Sequence, residues 1–180
     1  MNGFATLLKA AWRGDEASFR RLVEGTRETL FWTVKRMIGR DGIAEEILQD
    51  AYLALWKGTG ASDVRNPEAW LRRFVVNRAL DHLRREENKR PHLVAEDTGL
   101  EASSTFDPEV ALGTAESEEV LQHALQKLPP KMRFCIVLRA EGYGYAEIAS
   151  QLGVSESTVR NHVRQARLRL HGDLGEMGNE

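Results

Sequence analysis

The sequence contains one cysteine, no long apolar run and no cluster of metal-binding residue types. A single cysteine excludes an internal disulfide, so a hydrophobic core must hold the fold. Cys135 lies in the apolar stretch FCIVL and is expected to be a small buried core residue. No stretch approaches the roughly 18 consecutive apolar residues of a membrane span. The first residues, MNGFATLLKAAWRGDEASF, carry no basic segment followed by an apolar run. A cytoplasmic chain without direct membrane insertion is expected. His82, His92, His123, His162 and His171 are scattered, none at metal-ligand spacing with Cys135, and no Gly-rich phosphate loop follows a strand pattern. No metal, no cofactor and no catalytic residues are therefore expected, which argues against an enzyme. Strand-like runs are also missing from the first ninety residues, where apolar positions recur at helical spacing.

With 42% hydrophobic and 29% charged residues, the 180-residue chain has the composition of a soluble globular protein, with room for one domain or two small ones. Its formal net charge of −2 conceals a segregation along the chain. Arg65 to Arg90 holds eight Lys/Arg against four Asp/Glu, Leu93 to Gln122 holds eight acidic residues and no Lys or Arg, and Lys127 to His171 holds eight basic residues against three acidic. Two positive segments joined by a negative connector suit a protein that grips one polyanion at two points.

Short helices are expected over Phe4 to Trp12 and Glu16 to Val23, broken at Gly14 and Asp15. Thr26 to Ile38 is expected as a third, opened by an imperfect capping box at Thr26 and ended by Gly39 and Gly42. Its stripe of Leu30, Val34, Met37 and Ile38 is expected to be buried. In Ile43 to Lys57, Ile43, Ile47, Ala51 and Leu55 repeat every four residues and should face the core. Glu46, Gln49, Asp50 and Leu53 fall on the other side, where an apolar residue among acidic groups can dock a partner. Gly58 to Arg65 reads as a polar loop, a place to hold an unstacked base. It leads to Asn66, a good N-cap, with Pro67 at the first helical position and Glu68 at the positive end of the helix dipole. Leu71, Val75, Ala79 and Leu83, with Trp70 and Phe74 beside them, form the expected buried face, while Arg73, Asn77, Arg84 and Asn88 form another. Arg and Asn there can hold phosphates and reach base edges.

Pro91 to Ala115 is acidic, poor in aromatics and without helical period, and reads as a flexible linker. Glu116 to Leu128 resumes a helix, with Val120, Leu121, Ala124, Leu125 and Leu128 apolar; the Leu-Pro-Pro at 128 to 130 stops it, and another helix is expected over Lys131 to Ala140. In GYGYAEIASQLGVSESTVRNHVRQARLRLHG, Ile148, Ala149 and Leu152 pack one helix. Gly153 makes a turn, Val154 is expected buried, and Ser155 caps a second helix that turns Val159, Val163, Ala166 and Leu170 inward. This is the pattern of a helix-turn-helix. Ser157, Arg160, Asn161 and Arg164, with Arg167 and Arg169 further on, point outward; the early ones suit guanine and adenine edges, the later ones phosphates.

Together these stretches resemble the extracytoplasmic-function sigma factors of the sigma-70 family, small bacterial initiation factors. AEEILQDAYLALW, Ala44 to Trp56, resembles the segment that docks on the polymerase β′ clamp helices. NPEAWLRRFVVNRALDHLRR, Asn66 to Arg85, resembles the segment that melts and reads the minus-ten element. The stretch from Leu128 to Arg167 is similar to the domain that reads the minus-thirty-five element. The resemblance implies an all-α fold of two small helical domains, region 2 over 1–90 and region 4 over 116–174, joined by the linker 91–115. It assigns polymerase binding to Glu46, Gln49, Asp50 and Leu53, minus-ten DNA binding to Asn66, Arg73, Asn77, Arg84 and Arg85, and minus-thirty-five DNA binding to Ser157, Arg160, Asn161, Arg164 and Arg167. Core RNA polymerase (β′ clamp helices and β flap), promoter DNA, duplex and melted, and an anti-sigma factor are the implied partners. Two positions depart from the family pattern: Gly144 stands where Ser or Thr commonly caps, and VRNHV at 159 to 163 resembles the recognition helix of response-regulator-type factors. The alternative is thus a helix-turn-helix regulator of the response-regulator or quorum-sensing type, without initiation activity and with an α/β N-terminal half.

Overall fold

Asp15 and Asn66, two small polar residues, set the starts of the two longest helices in the first half of the chain. The structure, a computed structural model, describes residues 3–58, 66–89 and 115–177. The linker expected over 91–115 and the loop expected at Gly58 to Arg65 lie, apart from their end residues 115 and 58, outside the described residues. Eight helices are described: α1 (Gly3–Ala11), α2 (Glu16–Ile38), α3 (Asp41–Trp56), α4 (Pro67–Lys89), α5 (Ala115–Lys127), α6 (Pro130–Ala140), α7 (Tyr145–Leu152) and α8 (Glu156–Met177). They form two compact units, Met1–Arg85 and Glu86–Glu180. The all-α, two-domain expectation holds.

In the first unit, the Asp15 carboxylate accepts from the Ser18 hydroxyl at 2.6 Å and the Ser18 N–H at 3.2 Å. These bonds, the hydroxyl first, hold its carboxyl below the ordinary value. Its capping contribution is thus present above the ordinary carboxylate range and is lost as pH falls through the lowered value. From Asp15 the chain runs as one helix to Ile38, whereas two helices broken near Gly25 were expected. Thr26 caps nothing: its hydroxyl donates back to the Leu22 carbonyl at 2.9 Å, which leaves the Tyr52 hydroxyl of α3 to donate to Thr26 at 2.8 Å. A mid-helix glycine costs about 1 kcal/mol relative to alanine. Leu22 and Leu30, buried on either side of Gly25, outweigh that cost.

Gly39 ends α2 in the left-handed conformation (φ 79°), its N–H donating to the Lys35 carbonyl at 2.7 Å. Gly42, expected as part of that stop, lies instead in the first turn of α3, which starts at Asp41. The buried residues of α3 are Ala44, Ile47, Leu48, Ala51, Tyr52 and Leu55, a stripe wider than the four-residue repeat, and Ile43 is only half-buried. Likewise Ile38 is half-buried while Thr33 is buried, its hydroxyl donating to the Thr29 carbonyl at 3.0 Å. The Trp12 indole N–H donates to the Leu55 carbonyl at 3.0 Å, tying the end of α1 to the end of α3. In α4 the Asn66 side chain accepts from the Ala69 N–H at 3.1 Å, so the expected N-cap forms. Leu71, Val75, Ala79 and Leu83 are buried as expected, joined by Val76 and Leu80; Trp70 and Phe74 are half-buried.

In the second unit α8 packs along α6, with α5 and α7 beside them. Phe134, Cys135, Leu138, Ile148, Val159 and Ala166 are wholly enclosed. Pro130 opens α6 at its first position, where its missing N–H costs nothing. Val120 and Leu121 are half-buried, and Ala124, Leu125 and Leu128 carry the α5 face of the core. Leu152 and Val154, expected to pack inside, are half-buried because they flank the turn. That turn is made by Gly153 (φ 66°). The Ser155 hydroxyl then accepts from the Thr158 N–H at 3.1 Å and caps α8, which continues past Gly172 to Met177.

Candidate functional site

On α3 the buried stripe leaves the opposite face to water. Glu46, Gln49 and Asp50 are exposed, and Leu53 is 51% and Trp56 37% exposed, the large hydrophobic side chains left in water among the described residues. Isolated exposed leucines are ordinary, but two large apolar side chains one helical turn apart and beside carboxylates form a docking patch. Trp56 was missed by the sequence reading, although it lies three residues past Leu53 and seven past Gln49, spacing that keeps all three on one face. Its ring stands edge-on to Phe19 of α2, centroids 4.8 Å apart, which fixes it in place.

On α4, Asn66, Arg73, Asn77, Arg84, Arg85 and Asn88 are exposed. Arg84 pairs with Asp81 at 3.2 Å and Arg72 with Glu68 at 3.2 Å. All four side chains are well exposed, so each pair is worth about 0–1 kcal/mol. A phosphate can exchange for the carboxylate at little loss. The Trp70 and Phe74 rings lie tilted against each other with centroids 5.2 Å apart, and the Arg78 guanidinium lies 5.1 Å over the Phe74 ring. This aromatic and cationic row along the first half of the helix, ending at Arg78, was not assigned from sequence. Alternating aromatic and basic side chains can stack and neutralise a single strand.

On α8, Ser157 and Arg160 are exposed, Asn161 and Arg164 half-buried at the flank, and Arg169 exposed further on. Arg167 is half-buried with its Nε covered. Gly144 precedes α7 with no side-chain cap, as its lack of a side chain dictates. Arg160 pairs with Glu156 at 3.4 Å and lies 4.4 Å over the Tyr145 ring. The charge count from Lys127 to His171 overstates the basic surface, because Arg133 is buried. Its guanidinium donates to the Gln126 side-chain oxygen at 2.7 Å, and burial lowers its affinity for its proton. Position along the chain cannot distinguish a cation inside the fold from one on its surface.

Cys135 is fully enclosed, with His162 Nδ1 3.7 Å from its sulfur. Burial pushes the thiol from 9.0 to about 12. Three pH units mean about a thousandfold less thiolate at neutral pH. Cys135 is therefore expected to resist iodoacetamide in the folded chain and to react once denaturant opens the core. Peptide mass spectrometry across a denaturant series measures this; rapid native labelling would contradict it. Among the described residues no group of His, Cys, Asp or Glu is placed to hold a metal ion, and no helix is long and apolar enough to cross a membrane.

The family models described as Sigma-70 region 2 and Sigma-70, region 4, match residues 22–89 and 118–170. The ECF RNA polymerase sigma factor SigM of Mycobacterium tuberculosis is 34% identical over 173 residues, 95% of this chain and 84% of its own. SigW of Bacillus subtilis, another ECF RNA polymerase sigma factor, is 27% identical over 182 residues, covering 94% and 96%. Among solved structures, the sigma factor RpoE of Bartonella quintana, crystallised with the anti-sigma factor NepR, superposes with a TM-score of 0.56. The match covers 87% of this chain and 96% of that one at 22% identity, a likeness of fold.

Proposed function

We propose a function from the premise that this chain belongs to the extracytoplasmic-function sigma factors, alternative transcription initiation factors of the sigma-70 family. It binds bacterial core RNA polymerase through α3, with Glu46, Gln49, Asp50, Leu53 and the added Trp56 against the β′ clamp helices. The basic face of α4, with Asn66, Arg73, Asn77, Arg84 and Arg85, holds the melted minus-ten strand. Ser157, Arg160, Asn161, Arg164 and Arg167 of α8 approach the minus-thirty-five duplex, while the same unit meets the β flap. The working division is 1–90, a connector over 91–115, and 116–174. On this reading the chain has no chemistry of its own: RNA synthesis belongs to the polymerase, and the chain supplies address and strand separation.

The observation that carries the reading is the Leu53 and Trp56 patch beside Glu46, Gln49 and Asp50, exposed on a helix whose other face is buried from Ala44 to Leu55. A protein that only binds duplex DNA does not require it. The response-regulator alternative also requires an α/β N-terminal half, whereas residues 3–58 and 66–89 are built of α1 to α4. An anti-sigma factor, as in the Bartonella complex, is the second partner we assign, since a chain that redirects polymerase must be restrained until needed.

Transcription with core polymerase, this chain and a library of promoter fragments tests the assignment by sequencing the transcripts and their starts. Initiation from fragments sharing two spaced elements is expected. Silence from core polymerase, with duplex DNA still shifted by the protein, would make the chain a regulator. In the same assay Arg160→Ala is expected to cost about 1–3 kcal/mol of discrimination at one upstream base pair. Equal weakening on every sequence would reduce Arg160 to a phosphate contact.

A further inference from the structure

We infer that Tyr145, the first residue of α7, is a positioning residue for Arg160 and, through it, for the upstream promoter base that Arg160 reads. This rests on the assignment of α8 proposed above. The guanidinium of Arg160 lies 4.4 Å over the Tyr145 ring, and that of Arg139 lies 4.6 Å over the same ring. Arg139 also donates to the Tyr143 carbonyl at 2.5 Å, fixing the backbone two residues before the ring. On the far side of the chain of contacts, Glu156 pairs with Arg160 at 3.4 Å, an exposed and weak contact. Two guanidiniums at one ring repel each other; the ring's negative face and the Glu156 carboxylate offset that repulsion.

Packing alone does not account for Tyr145. Ile148 and Ala149 carry the buried face of α7, and Tyr145 is half-buried. Besides Arg139, its ring engages a long, flexible and largely exposed side chain one turn into the recognition helix. A planar guanidinium stacked on an aromatic ring has fewer rotamers left to lose when it meets a base, and the exposed Glu156 carboxylate adds only a weak, exchangeable contact. The helix-turn-helix therefore presents Arg160 already aimed, with α6 and α7 both contributing to its aim.

The experiment uses the full chain with core polymerase and a promoter library randomised through the upstream element, comparing wild type, Tyr145→Leu, Tyr145→Phe, Arg160→Ala and the Tyr145→Leu/Arg160→Ala double variant. Tyr145→Leu keeps apolar bulk without a π face and is expected to lower discrimination by about 2–5-fold, the size of one exposed cation–π contact. The loss should fall at the same base position that Arg160→Ala flattens. Tyr145→Phe should retain it, and the double variant should lose no more than Arg160→Ala alone, since the two act as a unit. Circular dichroism melting of each variant verifies that it is folded.

Equal loss of transcription at every sequence would make Tyr145 structural and overturn the inference. So would a Tyr145→Leu effect that persists undiminished in the Arg160→Ala background, or a Phe variant that behaves like Leu. If wild type selects promoters and Arg160→Ala flattens one position while Tyr145→Leu changes nothing, this inference alone falls. If wild type selects no promoter, the assignment of α8 falls with it.

Discussion

Leu53→Ala is expected to weaken association with core RNA polymerase by about 30-fold, a hot-spot loss of about 2 kcal/mol, while leaving the stability of the free chain within about 0.5 kcal/mol. The separation of the two effects follows from where Leu53 sits. Half of its side chain is already in water, so the free chain gains little from it, and alanine is the better helix former. In a complex the same side chain can be buried completely, at the centre of a rim formed by Glu46, Gln49 and Asp50 with Trp56 one turn on. Titration of labelled chain with core polymerase gives the affinity, and thermal melting gives the stability. A variant that binds as wild type does would remove α3 from the polymerase interface. One that melts much earlier would show that Leu53 belongs to the core.

Phe134→Ala is expected to destabilise the helix-turn-helix unit by about 3–5 kcal/mol, the range for deleting a fully enclosed aromatic ring. Phe134 has no exposed surface and is the largest such side chain in the chain's described core; its helix α6 packs against α8 and α7. Because folded domains hold only about 5–15 kcal/mol in reserve, such a loss leaves little to keep α8 in place. Hydrogen exchange of the α6 and α8 amides reads the effect locally: protection should fall by two or more orders of magnitude, about tenfold for each 1.4 kcal/mol. Phe134→Leu, which refills much of the volume, should lose less. Unchanged protection in the alanine variant would mean that the neighbouring helices close over the gap.

The two experiments probe what was readable in different degrees. The face of α3 was legible because a 3.6-residue period separates Ile47, Ala51 and Leu55 from Glu46, Gln49, Asp50 and Leu53 whatever the helix packs against. Two side-chain caps were legible, Asn66 and Ser155, each accepting a backbone N–H three residues on, whereas Asp15, which caps α2 in the same way, was read only as part of a break. The reading failed at Gly25 and Thr26, where local preference argued for a break. A hydroxyl bond from Tyr52, twenty-six residues away, together with the burial of Leu22 and Leu30, carries α2 straight through. It failed again at Arg133, counted as a surface cation but enclosed beside Gln126.

By itself, the sequence determined the class of the protein: helical periodicity without strands, one isolated cysteine, two basic segments around an acidic one, and the order of motifs that the region 2 and region 4 matches share. These are properties of neighbours a few residues apart, for which spacing along the chain is spacing in space. Only the tertiary structure decided which cations face water, that Trp56 joins Leu53 in the open, and that Arg139, Tyr145 and Arg160 meet. Those placements depend on how helices separated by turns pack against one another, and the burial that fixes the packing is shared between elements, which no single segment expresses.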